Sequence, residues 1–253
     1  MFPIRDHNPS RRTPFVTWSL IALNVAIFLA TLPYFADDRL LGALYWNWGL
    51  VPARISAGEG FGGILTSMFL HGGWLHLGGN MLFLWIFGDN LEDQFGHLPF
   101  LGFYLASGIG AALAQYVAAP FSLVPMVGAS GAIAGVLGGY LLLFPKARVD
   151  VLLIIIVFVR ILVLPAWVML GYWFVLQAVS GYASLGSDGG GVAYLAHAGG
   201  FVAGALLALP WWLRAGGPRF WHRCHGFPPH GAGRPVTIRQ TTIPRVRRKR
   251  RGS

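Results

Sequence analysis

The sequence predicts an all-α membrane protein: a bundle of six transmembrane helices with both termini on the cytoplasmic side. Three observations predict it. The 253 residues are 55% hydrophobic and only 11% charged, with a mean hydropathy of +0.58, and a water-soluble domain of that make-up would lack the polar groups to cover its surface. The apolar residues gather in six long runs, and the net charge of +10 collects at the two ends and in one internal connection. At roughly 20 residues per span, a six-helix bundle uses nearly all of the chain.

The runs lie at 16–32, 75–87, 100–118, 127–144, 164–179 and 194–213. The first follows Arg5, Arg11 and Arg12. It is longer than a signal-peptide core and lacks a clear cleavage site, so it reads as an uncleaved signal anchor. A further stretch, VDVLLIIIVFVRILVL at 149–164, is rich in β-branched residues, contains Arg160 and meets Pro165. It reads as an interfacial or re-entrant approach to the fifth helix, whereas a seventh span there would reverse everything after it. Orientation follows from the basic residues. On the six-span map Arg5, Arg11, Arg12, Lys146, Arg148, Arg160 and the eleven basic residues from Arg214 onward fall inside, against Arg39 and Arg54 outside. The acidic turn GDNLEDQFGH at 88–97 falls inside as well, a departure the rule tolerates because acidic residues count little in it.

The expected organisation is a cytoplasmic N-terminal segment at 1–14, a membrane domain at 15–214 and a basic, disordered cytoplasmic tail at 215–253. The tail holds Arg219, Arg223, Arg234, Arg239 and RVRRKRR at 245–251 among Pro and Gly. It reads as a solvated arm facing anionic lipid headgroups, not as a nucleic-acid site. Cys224 is the single cysteine, which excludes an internal disulfide and a Cys-based metal site. Without a large soluble domain or an organellar presequence, the expected location is a bacterial inner membrane.

The candidate chemistry lies in four polar residues at one depth. The second run opens with HGGWLHLGGNMLF, which supplies His71, His76 and Asn80. His76 and Asn80 are four apart, on one face of a helix. The fourth run opens with Gly128, Ala129, Ser130 and Gly131, and AHAGGFVAG places His197 near the start of the sixth. Those three spans run from outside to inside, so His76, Asn80, Ser130 and His197 share the outer half of the membrane. Polar groups there are costly and face the bundle interior or a water-filled cavity. A histidine beside a serine can take the hydroxyl proton and later return it to a leaving amine. The resulting oxyanion needs donors, which Asn80, the His76 ring and the Ser130 N–H at its helix start can offer. Asp188, the acid nearest to His197 in sequence, belongs to an outer loop, so the pattern is a dyad and not a Ser-His-Asp triad. Each piece has a plainer reading: GASG followed by Gly135, Gly138 and Gly139 suits a small-residue helix contact, His71 a headgroup or cap residue, and Asn80 a helix bridge.

HGGWLHLGGN, GASGAIAG and AHAGGFVAG, in this order on alternate spans, resemble the signature of the rhomboid family of intramembrane serine proteases. The likeness runs from about Phe15 to Leu213 and includes FGDNLEDQFG at 87–96 and PAWVMLGYWFVLQAVSG at 165–181. The resemblance implies that Ser130 is the nucleophile, His197 the general base, and His76 with Asn80 the oxyanion stabilisers, with His71, Gly128 and Gly131 in support. It implies substrates that are transmembrane protein segments, admitted sideways and cut through an acyl-enzyme near the outer leaflet. A fifth span carrying Trp167, Tyr172, Trp173 and Phe174 then reads as a lateral gate or an interfacial aromatic belt, with SDGGG at 187–191 at the mouth. Two family features are missing. Ala134 stands where many members carry an aromatic residue against the histidine, and WNWGLVPARIS lacks the adjacent Trp-Arg pair of the first outer loop.

A catalytically inactive relative that binds transmembrane clients is the alternative; such proteins usually lack the serine or the histidine. A small transporter with a histidine relay would need paired intramembrane acids and inverted repeats. No H-E-x-x-H occurs and the histidines are not spaced as ligands on one helix, so neither metal nor cofactor is expected.

Overall fold

A computed structural model describes residues 2–155, 158–183 and 193–226. The SDGGG stretch with Asp188, and the tail from 227 with Arg234, Arg239 and RVRRKRR, lie outside the described residues. In chain order the elements are β1 (Phe2–Asp6), α1 (Phe15–Thr31), α2 (Asp38–Trp48), α3 (Pro52–Ser56), α4 (Gly63–Thr66), α5 (Trp74–Phe95), α6 (His97–Ala118), α7 (Ser130–Leu143), β2 (Arg148–Ile155), β3 (Phe158–Pro165), α8 (Ala166–Ala183), α9 (Tyr194–Ala215) and α10 (Pro218–Cys224). Each of the six apolar runs coincides with a helix: α1, α5, α6, α7, α8 and α9. Among the described residues, Phe15–Ala36, His97–Ala118 and Tyr194–Ala215 are long and apolar enough to cross a membrane, and Ser130–Leu143 is a shorter apolar helix. The protein is an integral membrane protein built mostly of helices.

The centre of the bundle is α7. Its residues Gly131–Tyr140 are all buried, although four of them are glycines, the poorest helix formers after proline. The reason is the close approach of α9. A Cβ on Gly204 would collide with the backbone of Gly135, and one on Gly138 with the carbonyl of Phe201. Backbone-to-backbone packing of this kind replaces the hydrophobic effect as the force between helices in lipid. The glycine-rich runs GASGAIAG and AHAGGFVAG are therefore the two halves of one helix seam.

The acidic turn at the end of α5 has a structural cause. Pro14 precedes α1 without a side-chain cap, leaving the first N–H groups of that helix without acceptors. Glu92, fully buried, supplies them: its carboxylate accepts from the N–H of Val16 at 2.9 Å and from the N–H and hydroxyl of Thr17 at 2.8 and 2.7 Å. His97 Nδ1 lies 2.6 Å from the same carboxylate. An acid that runs against the charge pattern of the sequence is thus the cap of a helix 75 residues away.

The stretch at 149–164, expected as an interfacial or re-entrant approach to the fifth helix, adds a small sheet to the mostly helical fold. It is an antiparallel hairpin and not a seventh helix: β2 and β3 pair from Arg148↔Pro165 to Ile155↔Phe158, with β1 added on the other side of β2. Val149, Val151, Val159, Ile161 and Val163 are stiff at χ1 and fit a pleated strand better than a helix. An open strand edge is not tolerated in hydrocarbon, which keeps β3 and its exposed Val159, Ile161 and Val163 out of the bilayer core. The sheet holds the N-terminal segment against the bundle. Arg5 and His7 bind the two carboxylate oxygens of Asp150 at 2.9 and 2.7 Å, and the Tyr140 hydroxyl donates to Asp6 at 2.7 Å. Burial pushes the Asp6 carboxyl up to about 7, against the lowering influence of the Tyr140 hydrogen bond. The segment after 215, expected as part of the tail, forms α10 as far as Cys224.

Candidate functional site

Ser130 is the first residue of α7, and the backbone leading into it is held from two sides. Leu50 and Met126 exchange both main-chain hydrogen bonds, at 2.9 and 2.8 Å, and the Gly128 N–H donates to the Ser67 carbonyl at 2.9 Å. Gly128 has φ +134, a conformation that side-chain-bearing residues avoid. As the first helical residue, Ser130 has a main-chain N–H without an intrahelical acceptor, at the positive end of α7.

His197 sits in the first turn of α9, its N–H bonded to the Ala193 carbonyl at 3.1 Å. The glycine seam brings that turn against the start of α7, and His197 Nε2 lies 2.7 Å from the Ser130 hydroxyl. The other ring nitrogen, Nδ1, lies 2.9 Å from Oε1 of Gln177 in α8. Trp173, one turn earlier in α8, stacks on the imidazole with ring centroids 6.0 Å apart and 28° between planes. Trp173 thus supplies the aromatic surface that Ala134 cannot.

His76 occupies the first turn of α5. Its Nδ1 accepts the Gly72 N–H at 3.3 Å, so in the neutral ring the proton sits on Nε2. That nitrogen lies against Gly128, where a Cβ would stand 2.7 Å from Nε2 and 3.4 Å from Ser130 Oγ. Asn80 follows one helical turn later, 8% exposed within the buried stripe of α5 that includes Leu77 and Leu84. Its Nδ2 has no hydrogen-bond partner among the described residues, and a buried donor left unpaired costs about 1–3 kcal/mol. His71 does not reach the serine; it is buried and packs edge-on against His76 at 5.1 Å and 63°. Gly131 faces Ala111 of α6, its would-be Cβ 2.6 Å from the alanine methyl, so its contribution is to seat α7 and not to contact the site.

The structure therefore brings Ser130, His197 and His76 to one point. The arrangement is able to accept a proton from a hydroxyl on one side and donate to a developing negative oxygen on the other. Sequence reasoning missed Gln177. Its only signal is that it is the single amide in an otherwise apolar run, four residues after a tryptophan. The aromatics of α8 divide. Trp167 and Tyr172 are exposed at 57% and 53%, whereas Trp173 and Phe174 pack inward on Phe201 at 6.2 and 4.8 Å. In the first loop the guanidinium of Arg54 lies over the Trp46 ring at 5.7 Å and donates to the Trp46 carbonyl at 2.6 Å. A Trp-Arg contact is thus built there from positions eight residues apart.

The Rhomboid domain family matches residues 59–214, more than half of the chain. Similar proteins include Rhomboid protease GluP of Bacillus subtilis, 37% identical over 147 residues, which cover 58% of this chain and 26% of the relative. Rhomboid protein 1, mitochondrial, of Saccharomyces cerevisiae is 33% identical over 207 residues, 78% of this chain and 53% of the relative. Rhomboid-like protein 11, chloroplastic, of Arabidopsis thaliana is 33% identical over 130 residues, 51% of this chain and 42% of the relative. The chain spans between about a quarter and about half of the length of these relatives.

Proposed function

Because the chain belongs to the rhomboid family, we propose that it is an intramembrane serine endopeptidase cutting transmembrane segments of membrane-protein substrates near the outer leaflet. The observation that carries this reading is the 2.7 Å contact between Ser130 Oγ and His197 Nε2. Ser130 attacks the scissile carbonyl while His197 Nε2 takes the hydroxyl proton. The oxyanion forms beside His76 Nε2–H and the Ser130 main-chain N–H, and Asn80 Nδ2 gains in it the acceptor it lacks at rest. Collapse expels the amine, which leaves with the proton from His197. Water then enters by the reverse route: His197 takes its proton, its oxygen attacks the acyl carbon, and Ser130 is released with the carboxylate product. Removing one oxyanion donor of this kind costs about 10²–10³-fold in rate.

In this reading the six apolar helices all span, with both termini cytoplasmic in a bacterial inner membrane. The basic tail meets anionic headgroups, and α8 with its outward Trp167 and Tyr172 forms the side through which a substrate enters. A regular helix shields its own carbonyls, so segments with helix-weakening residues near the outer boundary are the preferred substrates.

The test is labelling of the detergent-solubilised full chain with a serine-reactive fluorophosphonate, together with cleavage of a fluorogenic transmembrane peptide. Both activities are expected in the wild type and lost in Ser130→Ala and in His197→Ala. Labelling that persists without Ser130, or a folded wild type that neither labels nor cleaves, refutes the dyad and leaves a client-binding relative.

A further inference from the structure

We infer that Gln177 is the positioning residue of the Ser130–His197 pair: its side-chain carbonyl accepts the Nδ1 proton of His197 and holds the ring with Nε2 turned to the serine. The inference rests on the reading of that pair as a catalytic dyad. A neutral imidazole has one N–H and one acceptor nitrogen. To take the hydroxyl proton of Ser130 at 2.7 Å, Nε2 must be the acceptor, which requires the proton on Nδ1 and an acceptor for it. Oε1 of Gln177, 2.9 Å away, is that acceptor. The stacked Trp173 restrains tilt of the ring but leaves rotation within its own plane, and the Nδ1 hydrogen bond removes that freedom.

Trp173 and Gln177 are four apart in α8, on one face of the helix. One turn of α8 thus fixes both the plane and the azimuth of the base. Because these residues lie on the helix that reads as the entry side, displacement of α8 by a substrate would loosen the base, and its return would restore it. Gln177 differs from a triad carboxylate in one respect: it selects the tautomer without compensating the charge of the imidazolium. In a Ser-His-Asp triad, the wrong tautomer costs about 10⁴-fold. A neutral acceptor, whose hydrogen bonds are roughly half as strong as charged ones, is expected to contribute less, about 10- to 100-fold.

The experiment compares full-length wild type, Gln177→Met and Gln177→Glu in detergent, measuring the rate of fluorophosphonate labelling between pH 5 and 9 with the thermal unfolding midpoint as the control for folding. Met keeps the length of the side chain and removes the acceptor. Glu keeps an acceptor that cannot be reversed into a donor and adds a charge. The expected result for Q177M is a 10- to 100-fold slower labelling rate at an unchanged unfolding midpoint. For Q177E it is labelling near the wild-type rate at alkaline pH, with the acid limb of the profile displaced to higher pH, since the carboxylate retains the proton on His197. Wild-type labelling by folded Q177M, a Q177E profile superimposable on that of the wild type, or a folded Q177E silent at every pH overturns the inference. If Q177M does not fold, the Q177E profile decides alone. Failure of the dyad reading is distinguishable, because there Ser130→Ala labels like the wild type whatever stands at 177.

Discussion

Replacing Gly128 with alanine asks whether the space between Ser130 and His76 is set by the backbone. A Cβ at this position would stand 2.7 Å from His76 Nε2, 2.8 Å from its Cε1 and 3.4 Å from Ser130 Oγ. To restore ordinary van der Waals contact the ring must retreat by about 0.7 Å, which withdraws Nε2 from the place where the oxyanion forms. The φ of +134 at this residue adds about 1–3 kcal/mol of backbone strain for a residue with a side chain. Loss of one oxyanion donor amounts to about 2.7–4 kcal/mol in the transition state, or about 10²–10³-fold in rate. Gly128→Ala is therefore expected to slow fluorophosphonate labelling and peptide cleavage by about 100-fold while the protein still unfolds cooperatively. The decisive comparison is a double variant. If the alanine acts by displacing His76, then Gly128→Ala combined with His76→Ala should be no slower than His76→Ala alone, because the two changes share one mechanism. Additive losses, or a single Gly128→Ala variant within threefold of wild type, would refute the assignment of that gap to the His76 ring.

Further expectations follow from the packing. Glu92→Ala leaves the N–H groups of Val16 and Thr17 and the Thr17 hydroxyl without their buried acceptor and should cost about 3–5 kcal/mol, read as a shift in an SDS-titration unfolding curve; a loss below 1 kcal/mol would show that α1 caps itself otherwise. Gly204→Leu places a side chain against the Gly135 backbone and should abolish both folding and labelling, which circular dichroism and the probe would report together. The carboxyl of Asp6 is raised from 3.8 to about 7. The stability it contributes is thus full below pH 3.8, where it is protonated in both folded and unfolded chains, and falls away as pH rises through 7. The protection of the β1 amides against hydrogen exchange, corrected for the intrinsic rate at each pH, should fall between about pH 4 and 7 and level off above, with the fall reduced in Asp6→Asn; an unchanged fall in that variant would remove Asp6 as the cause.

The six apolar runs could be read as helices because an uninterrupted apolar stretch of some 20 residues has few other structures open to it. That Ser130, His197 and His76 lie close together was legible for a related reason: polar groups in such runs stand out, and spacing with orientation predicts a shared depth, whereas Asn80 is observed only as a buried side chain one turn along α5. The hairpin was not legible in the same way. VDVLLIIIVFVRILVL satisfies a buried strand and a membrane approach equally, since a run of apolar residues carries no period by which to separate them. What decides it is pairing with FPIRD, more than 140 residues earlier, and such pairing leaves no local mark. Glu92 was visible as an acid out of place, but its capping role depends on where α1 begins in space. Gln177 gave the weakest signal of all, an uncharged side chain whose importance arises only from the single nitrogen it meets.

The seam between α7 and α9 has a consequence for how the protein fails. Most helix contacts are cushioned by side chains that can change rotamer as temperature or bilayer thickness shifts the helices. Where Gly204 meets Gly135 there is nothing to yield, and the serine and histidine ride on the two abutting backbones at the same end. Their separation is then a machined tolerance, not an averaged one. Heating or lipid mismatch should leave the pair intact until the seam opens and then part it completely, so loss of activity and loss of the bundle should share a single threshold.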